Sequence, residues 1–456
     1  MGENRLLFNI KDTEHYEYPQ LSMFCDEKNG FKVDYLEEQY NVNSENAIYI
    51  HIPFCKTFCV FCNYYKEKSY KNDAKIELFT DTIIKELIYY AEKVPDMYKK
   101  IKAIHFGGGT PTCIGTKNLE KIVNVIREKF YILDSCLISI ESHVRDLCTE
   151  NNVKELKQIG FNRISFGIQS FSVDLRKKYG LVPLEMIEKS IDIINKYGIT
   201  DFNVDLMYNF PEQTVEDVIK DIEKSFSMGC NCIDLYSLNV FPGTRMEKLL
   251  KKRGNYKKYL DTNVRNQYKK IYEYISNNQE YNLVMSNTIS KKTSKPNEYL
   301  KIHLGANRYE GGYIIGVGPS ARGYLAGYLY KNIVNLEEYI KEVNLMGNAR
   351  LMDRCISQEE KENRTMVMFP NFTYILKKNI KSNEHIDEVL EKLITDNLIK
   401  EKEDMYYIDP EDCFWAGNIS SLFYSNNQKN KMIETAIMNR KYKLNMYNQD
   451  KMQILD

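Results

Sequence analysis

No apolar run in this 456-residue chain approaches the roughly 20 residues that a membrane-spanning helix needs, so stable membrane insertion is not expected. A charge of one sign is lacking too. The 63 Lys and Arg equal the 63 Asp and Glu, and no global basic field points to a nucleic-acid partner. The opening stretch, MGENRLLFNIKDTEHYEYPQ, lacks the basic-then-apolar order of a signal peptide. Met-Gly is not followed by the Ser or Thr that myristoylation requires. These absences lead to the expectation of a cytoplasmic protein.

In a reducing compartment the eleven cysteines do not read as a disulfide framework. Cys25, Cys113, Cys136, Cys148, Cys230, Cys232, Cys355 and Cys413 are scattered and read mostly as small buried apolar residues. Cys230 and Cys232, an i, i+2 pair on a strand, are assigned to core packing. Three remain: HIPFCKTFCVFCNYYKEK places Cys55, Cys59 and Cys62 on one short loop, and no fourth cysteine accompanies them.

From residue 47 onward, short β-branched runs alternate with amphipathic segments. Strands are predicted at 47–53, 101–108, 136–142, 163–170, 202–208 and 232–238, and helices at 75–94, 119–130, 183–198 and 214–229. Thr214 with Glu216 and Asp217 suits a helix start, and Gly229 a stop. Repeated strand–helix units imply parallel strands with right-handed crossovers, as a doubly wound sheet or a partial barrel. Functional groups belong at the C-terminal strand ends in both. The rhythm changes beyond about residue 250, where NYKKYLDTNVRNQYKKIYEYISNN reads as one charged amphipathic helix, and LVMSN and YIIGVG as strands. The stretch HIDEVLEKLITDNLIKEKEDMYYIDPEDCFW predicts a helix, a turn and a hairpin, a winged-helix-like module without a basic character. The expected organisation is an N-terminal extension (1–46), an α/β core (47–250), a barrel-completing or substrate region (251–375) and the C-terminal module with its tail (376–456).

Three thiolates spaced by three and then two residues can point to one centre. Structural zinc would close its tetrahedron with a fourth ligand; His51 is conceivable, but Pro53 lies between it and the loop. An iron–sulfur cube held by three thiolates leaves one iron open, and the count of three therefore favours catalysis over structure. The next strand ends in HFGGGTPT, whose glycines let the backbone approach a ligand closely.

Taken together, YIHIPFC with its two following cysteines, HFGGGTPT, ISIES, GFNRISFGIQSF, DFNVDLMYNFPEQT and VFPGT resemble the radical S-adenosylmethionine (SAM) enzymes of the oxygen-independent coproporphyrinogen III oxidase type. The resemblance runs from about Tyr49 to Gly323. It implies an α/β fold, a partial (β/α)6 TIM-like barrel with a winged-helix-like C-terminal module, a [4Fe–4S] cluster, and reductive cleavage of SAM. By the same resemblance, Cys55, Cys59 and Cys62 ligate three irons, and the amino and carboxylate groups of SAM chelate the fourth. Tyr49, Phe61, Gly107, Gly108, Gly109 and Thr110 match positions lining the SAM site, and Glu141, Gln169 and Asp205 match polar groups around methionine and ribose. An Arg that the family places twelve residues after the Gln is Leu181 here, with Arg176, Lys177 or Lys178 as candidate substitutes.

Departures within the family narrow the branch. Coproporphyrinogen oxidases carry a Cys two places after the third, where this chain has Tyr64. The haem-chaperone branch has an HNxxYW stretch, of which His303 remains while Leu304, Asn307 and Arg308 break the pattern. FCNYYKEK and LYSLNVFPGT are most similar to the branch that methylates and opens haem anaerobically, the anaerobilin-synthase-like proteins. That branch implies a tetrapyrrole substrate, haem first among them, a second SAM as methyl donor, and a flavodoxin- or ferredoxin-type electron donor. The SKKTSK stretch and Arg322 are candidate partners for propionates.

Overall fold

The first strand shows how the sequence makes this sheet. In NAIYIHI the β-branched Ile48, Ile50 and Ile52 are fully buried, while the alternate residues Tyr49 and His51 are half-buried on the opposite face. Period-two alternation thus separates a helix-packed face from an inward face. Burying each such isoleucine is worth about 1.5–3 kcal/mol. The structure is a computed structural model and describes residues 33–40, 45–56, 59–62, 65–68, 71–241, 243–260, 262–294, 297–304 and 312–431.

Six parallel strands lie side by side in chain order: β1 (Asn46–Ile52), β2 (Lys100–Gly108), β3 (Tyr131–Ser142), β4 (Arg163–Gln169), β5 (Asp201–Tyr208) and β6 (Cys232–Ser237). A doubly wound sheet would reverse its order at a switch point. The order here does not reverse, which decides for the barrel-type winding. The sheet continues beyond both ends of this set. Past β6 lies the antiparallel hairpin β7 (Tyr281–Met285) and β8 (Thr288–Lys291). On the far side of β1, β9 (Tyr313–Val317) adds in parallel, followed by antiparallel β10 (Arg322–Leu325), β11 (Tyr328–Asn332) and β12 (Arg350–Cys355). One twelve-stranded sheet therefore runs from residue 46 to residue 355.

The connecting helices carry the predicted apolar stripes. Asp73–Lys93 buries Phe79, Ile83, Leu87 and Tyr90 completely, and is capped by Asn72, whose side chain accepts the Lys75 N–H. Val215–Ser227 begins in a capping box of Thr214 and Asp217, as the sequence anticipates. The long helix expected after residue 254 is instead two, Tyr256–Leu260 and Val264–Asn277, with Asn263 capping the second. The side chain of Asn263 accepts the Asn266 N–H, and that local bond favours a new start over continuation. In the C-terminal part, Glu384–Thr395 packs beside a three-stranded sheet of β13 (Tyr374–Leu376), β14 (Lys400–Lys402) and β15 (Met405–Tyr407), in the order β13-β15-β14.

One buried polar contact ties the far wing of the sheet to the barrel. Glu86, fully buried in the helix after β1, accepts from the Gly318 N–H (2.9 Å), Asn332 Nδ2 (2.8 Å) and Tyr339 Oη (2.6 Å). Burial outweighs these donors and pushes its carboxyl up to about 7. Because the folded value exceeds the unfolded one, its stabilising share is complete at low pH and is lost as pH rises through about 7. Glu86→Ala leaves three buried donors unpaired and is expected to cost about 3 kcal/mol. Denaturant unfolding measures that loss, and the variant should also have a flatter melting temperature between pH 5 and 7.

Candidate functional site

The C-terminal ends of β1 to β5 bring the predicted residues together. β1 leads through Pro53 and Phe54 into the cysteine loop. Return backbone contacts close that loop: Glu67 N–H donates to the Pro53 carbonyl at 2.9 Å, and Phe54 bridges Glu67. Cys55 is buried, Cys62 half-buried and Cys59 exposed. Burial raises the Cys55 thiol above the ordinary range, against the contact with Thr110 and the charge of Lys66. Among the described residues no three His, Cys, Asp or Glu side chains converge closely enough to hold a single metal ion, and none of the ten described cysteines is in a disulfide.

The glycine run of β2 lies directly against β1. Register pairs His51 with Gly107 and Ile52 with Gly108. A Cβ on Gly108, whose φ is +111°, would come within 2.7 Å of the His51 ring. A Cβ on Gly109 would meet the Phe54 carbonyl oxygen at 2.6 Å and the Pro53 backbone as well. Without those side chains, the Gly109 N–H reaches the Ile52 carbonyl (2.8 Å) and the Thr110 N–H the Phe54 carbonyl (2.7 Å). Thr110 Oγ1 then lies 3.5 Å from Cys55 Sγ. The glycine run and the cysteine loop form one unit.

Inward side chains furnish the rest. Glu141, ending β3, accepts the Gly108 N–H (3.2 Å) and lies 3.2 Å from His105 Nε2. Desolvation disfavours its charge, but His105, the Gly108 N–H and His51 together hold its carboxyl below the usual value. Its side chain is 41% exposed, so it lines an open interior. Gln169 takes φ +68° at the end of β4, and its Nε2 occupies the space that a Cβ on Gly167 would need, 2.2 Å away. Positive φ is uncommon for such a residue, and the glycine two places earlier permits it. Asp205 faces Asp234 across the β5–β6 pair, and Asn203 Nδ2 donates to both, at 3.3 and 2.9 Å. Burial, then the charges of Asp234 and Glu141, raise the Asp205 carboxyl well above its ordinary range. Phe61 packs into a side core with Leu175, Met207 and Leu238.

Several expectations are resolved. Tyr49 Oη is 2.9 Å from His51 Nδ1, and burial holds that imidazole neutral, down to about 4; His51 is a partner of Tyr49 and Gly108. Arg176, a candidate substitute for the arginine replaced by Leu181, is buried. Its guanidinium donates to the Ile168 carbonyl at 2.8 Å and to the Ser170 and Val182 carbonyls, capping the end of β4. Lys178 pairs with Glu212, and Lys177 is exposed. Lys291 of the SKKTSK stretch donates to the Phe226 carbonyl. Cys230 and Cys232 are buried as assigned. Tyr64, Asn307 and Arg308 lie outside the described residues. Missing from the sequence reading are His105 and Tyr299, which stack on each other (4.6 Å, 24°) and on Tyr49. Alternation in KAIHFGG places His105 on the inward face with Gly107, a signal that was there to use; Tyr299 arrives from a distant helix.

A three-cysteine loop and a glycine run at adjacent strand ends of an unreversed parallel sheet define a radical SAM domain, and residues 49–224 match the Radical SAM superfamily. Those residues, under half of the chain, form a radical SAM domain. It is 28% identical over 305 residues to "Anaerobilin synthase" of Escherichia coli O157:H7, a match covering 66% of this chain and 65% of that protein. It is 29% identical over 311 residues to "Heme chaperone HemW" of Lactococcus lactis, covering 65% and 74%. The solved coproporphyrinogen III oxidase HemN of Escherichia coli superposes with a TM-score of 0.71 over 87% of this chain and 94% of its own, at 19% identity, which establishes the shared fold. The matched region thus spans about two thirds of the anaerobilin synthase.

Gly109→Ala drives a Cβ into backbone rather than into a movable side chain. It is expected to separate the glycine run from the cysteine loop at a cost of roughly 2 kcal/mol, read as a lower melting temperature. Ala at Gly243, where φ is +81° but no atom lies within 4 Å, should cost less.

Proposed function

We propose that this protein is a radical SAM enzyme acting on a tetrapyrrole, methylating and opening haem in the absence of oxygen. The observation that carries the reading is the joined unit of cysteine loop and glycine run, with Thr110 against Cys55 and Glu141 against Gly108. The donor set fits the implied group in kind: three cysteines on one loop supply the thiolates by which iron–sulfur clusters are held. Cys55, Cys59 and Cys62 would hold the cluster. Tyr49, Phe61, Gly107 to Thr110, Glu141, Gln169 and Asp205 would surround SAM. The cluster with SAM on its open iron supplies reductive cleavage of SAM to a 5′-deoxyadenosyl radical.

The chain's own residues bind and orient. The glycine run brings bare backbone to the ligand, and the strand pairing fixes Glu141 and Gln169 relative to it. The Glu141 carboxylate, held in its charged form by His105 and the Gly108 N–H, suits the cationic sulfonium and amino groups of SAM. Tyr64, at the place where porphyrinogen oxidases carry a further cysteine, and the similarity to the anaerobilin synthase support haem as substrate. The similarity to a haem chaperone supports a second reading, a cluster-bearing haem carrier without radical chemistry.

Anaerobically reconstituted protein with dithionite and SAM should release 5′-deoxyadenosine. Adding haem should further give S-adenosylhomocysteine and a methylated linear tetrapyrrole. Tight haem binding with no SAM turnover would establish the carrier instead. Cys55→Ala, Cys59→Ala and Cys62→Ala should each abolish the brown iron–sulfur chromophore, and a colourless wild type holding one zinc ion would overturn the proposal.

A further inference from the structure

The chain as a whole is electrically neutral, yet residues 245–260, RMEKLLKKRGNYKKYL, carry seven Lys or Arg against one Glu. This stretch forms the helices Arg245–Lys252 and Tyr256–Leu260. Its position is set by the cysteine loop. The Met246 N–H donates to the carbonyl of Val60, between Cys59 and Cys62, at 2.9 Å. Met246 and Leu250, with Leu249, Tyr256 and Tyr259, share one apolar cluster with Val60 and Phe61. The apolar side of the two helices is therefore spent on the loop that bears the cysteines. Lys248, Lys251, Lys252, Arg253, Lys257 and Lys258 are exposed on their remaining surface.

The acids nearby do not cancel this charge. Glu247 is engaged by Lys251 (2.7 Å) and by the Gly243 N–H (2.8 Å). Glu212 is shared between Lys178 and Lys258. Cys59, the residue before Val60, is exposed. A neutral protein has thus concentrated positive charge on a surface that is hydrogen-bonded to the loop holding its redox-competent thiols. Charge gathered on one face steers an oppositely charged partner and speeds encounter by roughly 10–10³ at low salt.

We propose that the exposed basic face of residues 245–260 is the docking surface for an acidic protein one-electron carrier of the flavodoxin or ferredoxin class. The inference rests on the cluster reading above. One electron leaves the reduced carrier and is accepted at the thiolate-held site, so the carrier is the reductant. The apolar underside of the two helices couples docking to the cysteine loop without requiring the loop itself to bind the partner.

The test compares wild type with Lys248→Gln/Lys252→Gln/Lys257→Gln and with the corresponding triple Glu variant, all as reconstituted holoprotein. Affinity for purified oxidised flavodoxin and ferredoxin is measured by calorimetry at two salt concentrations, and the rate of cluster reduction by each reduced carrier by stopped flow. Wild type should bind at least one carrier saturably, more weakly at high salt. The Gln variant should lose about tenfold in affinity and reduction rate, and the Glu variant more. Iron content, melting temperature and photochemical reduction by deazaflavin should be unchanged, since none of the three side chains lies in the proposed cofactor shell. Equal carrier binding and reduction in all three proteins, or no saturable binding by wild type, would overturn the docking surface. So would loss of binding to anionic phosphatidylglycerol vesicles while carrier kinetics stay intact, which would assign the face to a membrane. A wild type that takes up no iron would instead defeat the cluster reading, a distinguishable failure.

Discussion

The architecture of the site depends on how closely β2 approaches the end of β1. Three successive glycines allow it. Gly107 fits under Glu141 and Tyr49, Gly108 against the His51 ring, and Gly109 against the Pro53–Phe54 backbone. That approach lets the Gly109 and Thr110 amides bond to the Ile52 and Phe54 carbonyls. The chain therefore enters the cysteine loop from a fixed direction. A side chain at Gly109 would push apart two parallel strands, and one at Gly107 or Gly108 would displace the Glu141, Tyr49 or His51 side chains that face inward. The loop's other constraint, the Phe54–Glu67 bridge, closes it from the opposite side.

Around this contact, polar groups are arranged by strand register. His51 with Gly107, Glu141 with Ser165, Gly167 with Asp205, and Asp205 with Asp234 are neighbours across successive strand pairs. Side chains from alternate residues point to the same face, and the interior collects carboxylates, imidazoles and phenols without any long loop having to position them. The cost is electrostatic. Asp205 faces Asp234 with Glu141 nearby, and its carboxyl is forced upward. The charged form of Asp205 is thereby disfavoured, and the inward negative charge rests on Glu141, which His105 and the Gly108 N–H hold below the usual value.

Much of this was legible in the sequence, and the reasons are physical. β-branched alternation marks strands, and i, i+3, i+4 stripes mark helices; the six parallel strands lie where those patterns fall, although Tyr131–Ser135 joins β3 without a strong alternating signal. The three cysteines and the glycine run announce themselves because few other arrangements need those residues at that spacing. What stayed hidden depends on tertiary approach. Nothing local tells that Tyr299 will stack on His105, or that Glu86 will reach Gly318, more than two hundred residues away. Arg176 shows the same dependence. Its nearness in sequence to Leu181 suggests a substitute charge, but a helix turn directs it to the open carbonyls at the end of β4.

Leu181 bears on the ligand as well. It packs at the margin of the apolar cluster that contains Phe61, Leu238 and Val240, where the family resemblance leads one to expect a guanidinium. Replacing a cation by a leucine removes a partner for a ligand carboxylate and adds surface that prefers carbon. The same cluster holds the cysteine loop against the basic helices through Val60 and Met246. One apolar unit therefore supports the loop from behind and surrounds Leu181 with carbon, so a ligand carboxylate beside it would have to find its cationic partner elsewhere.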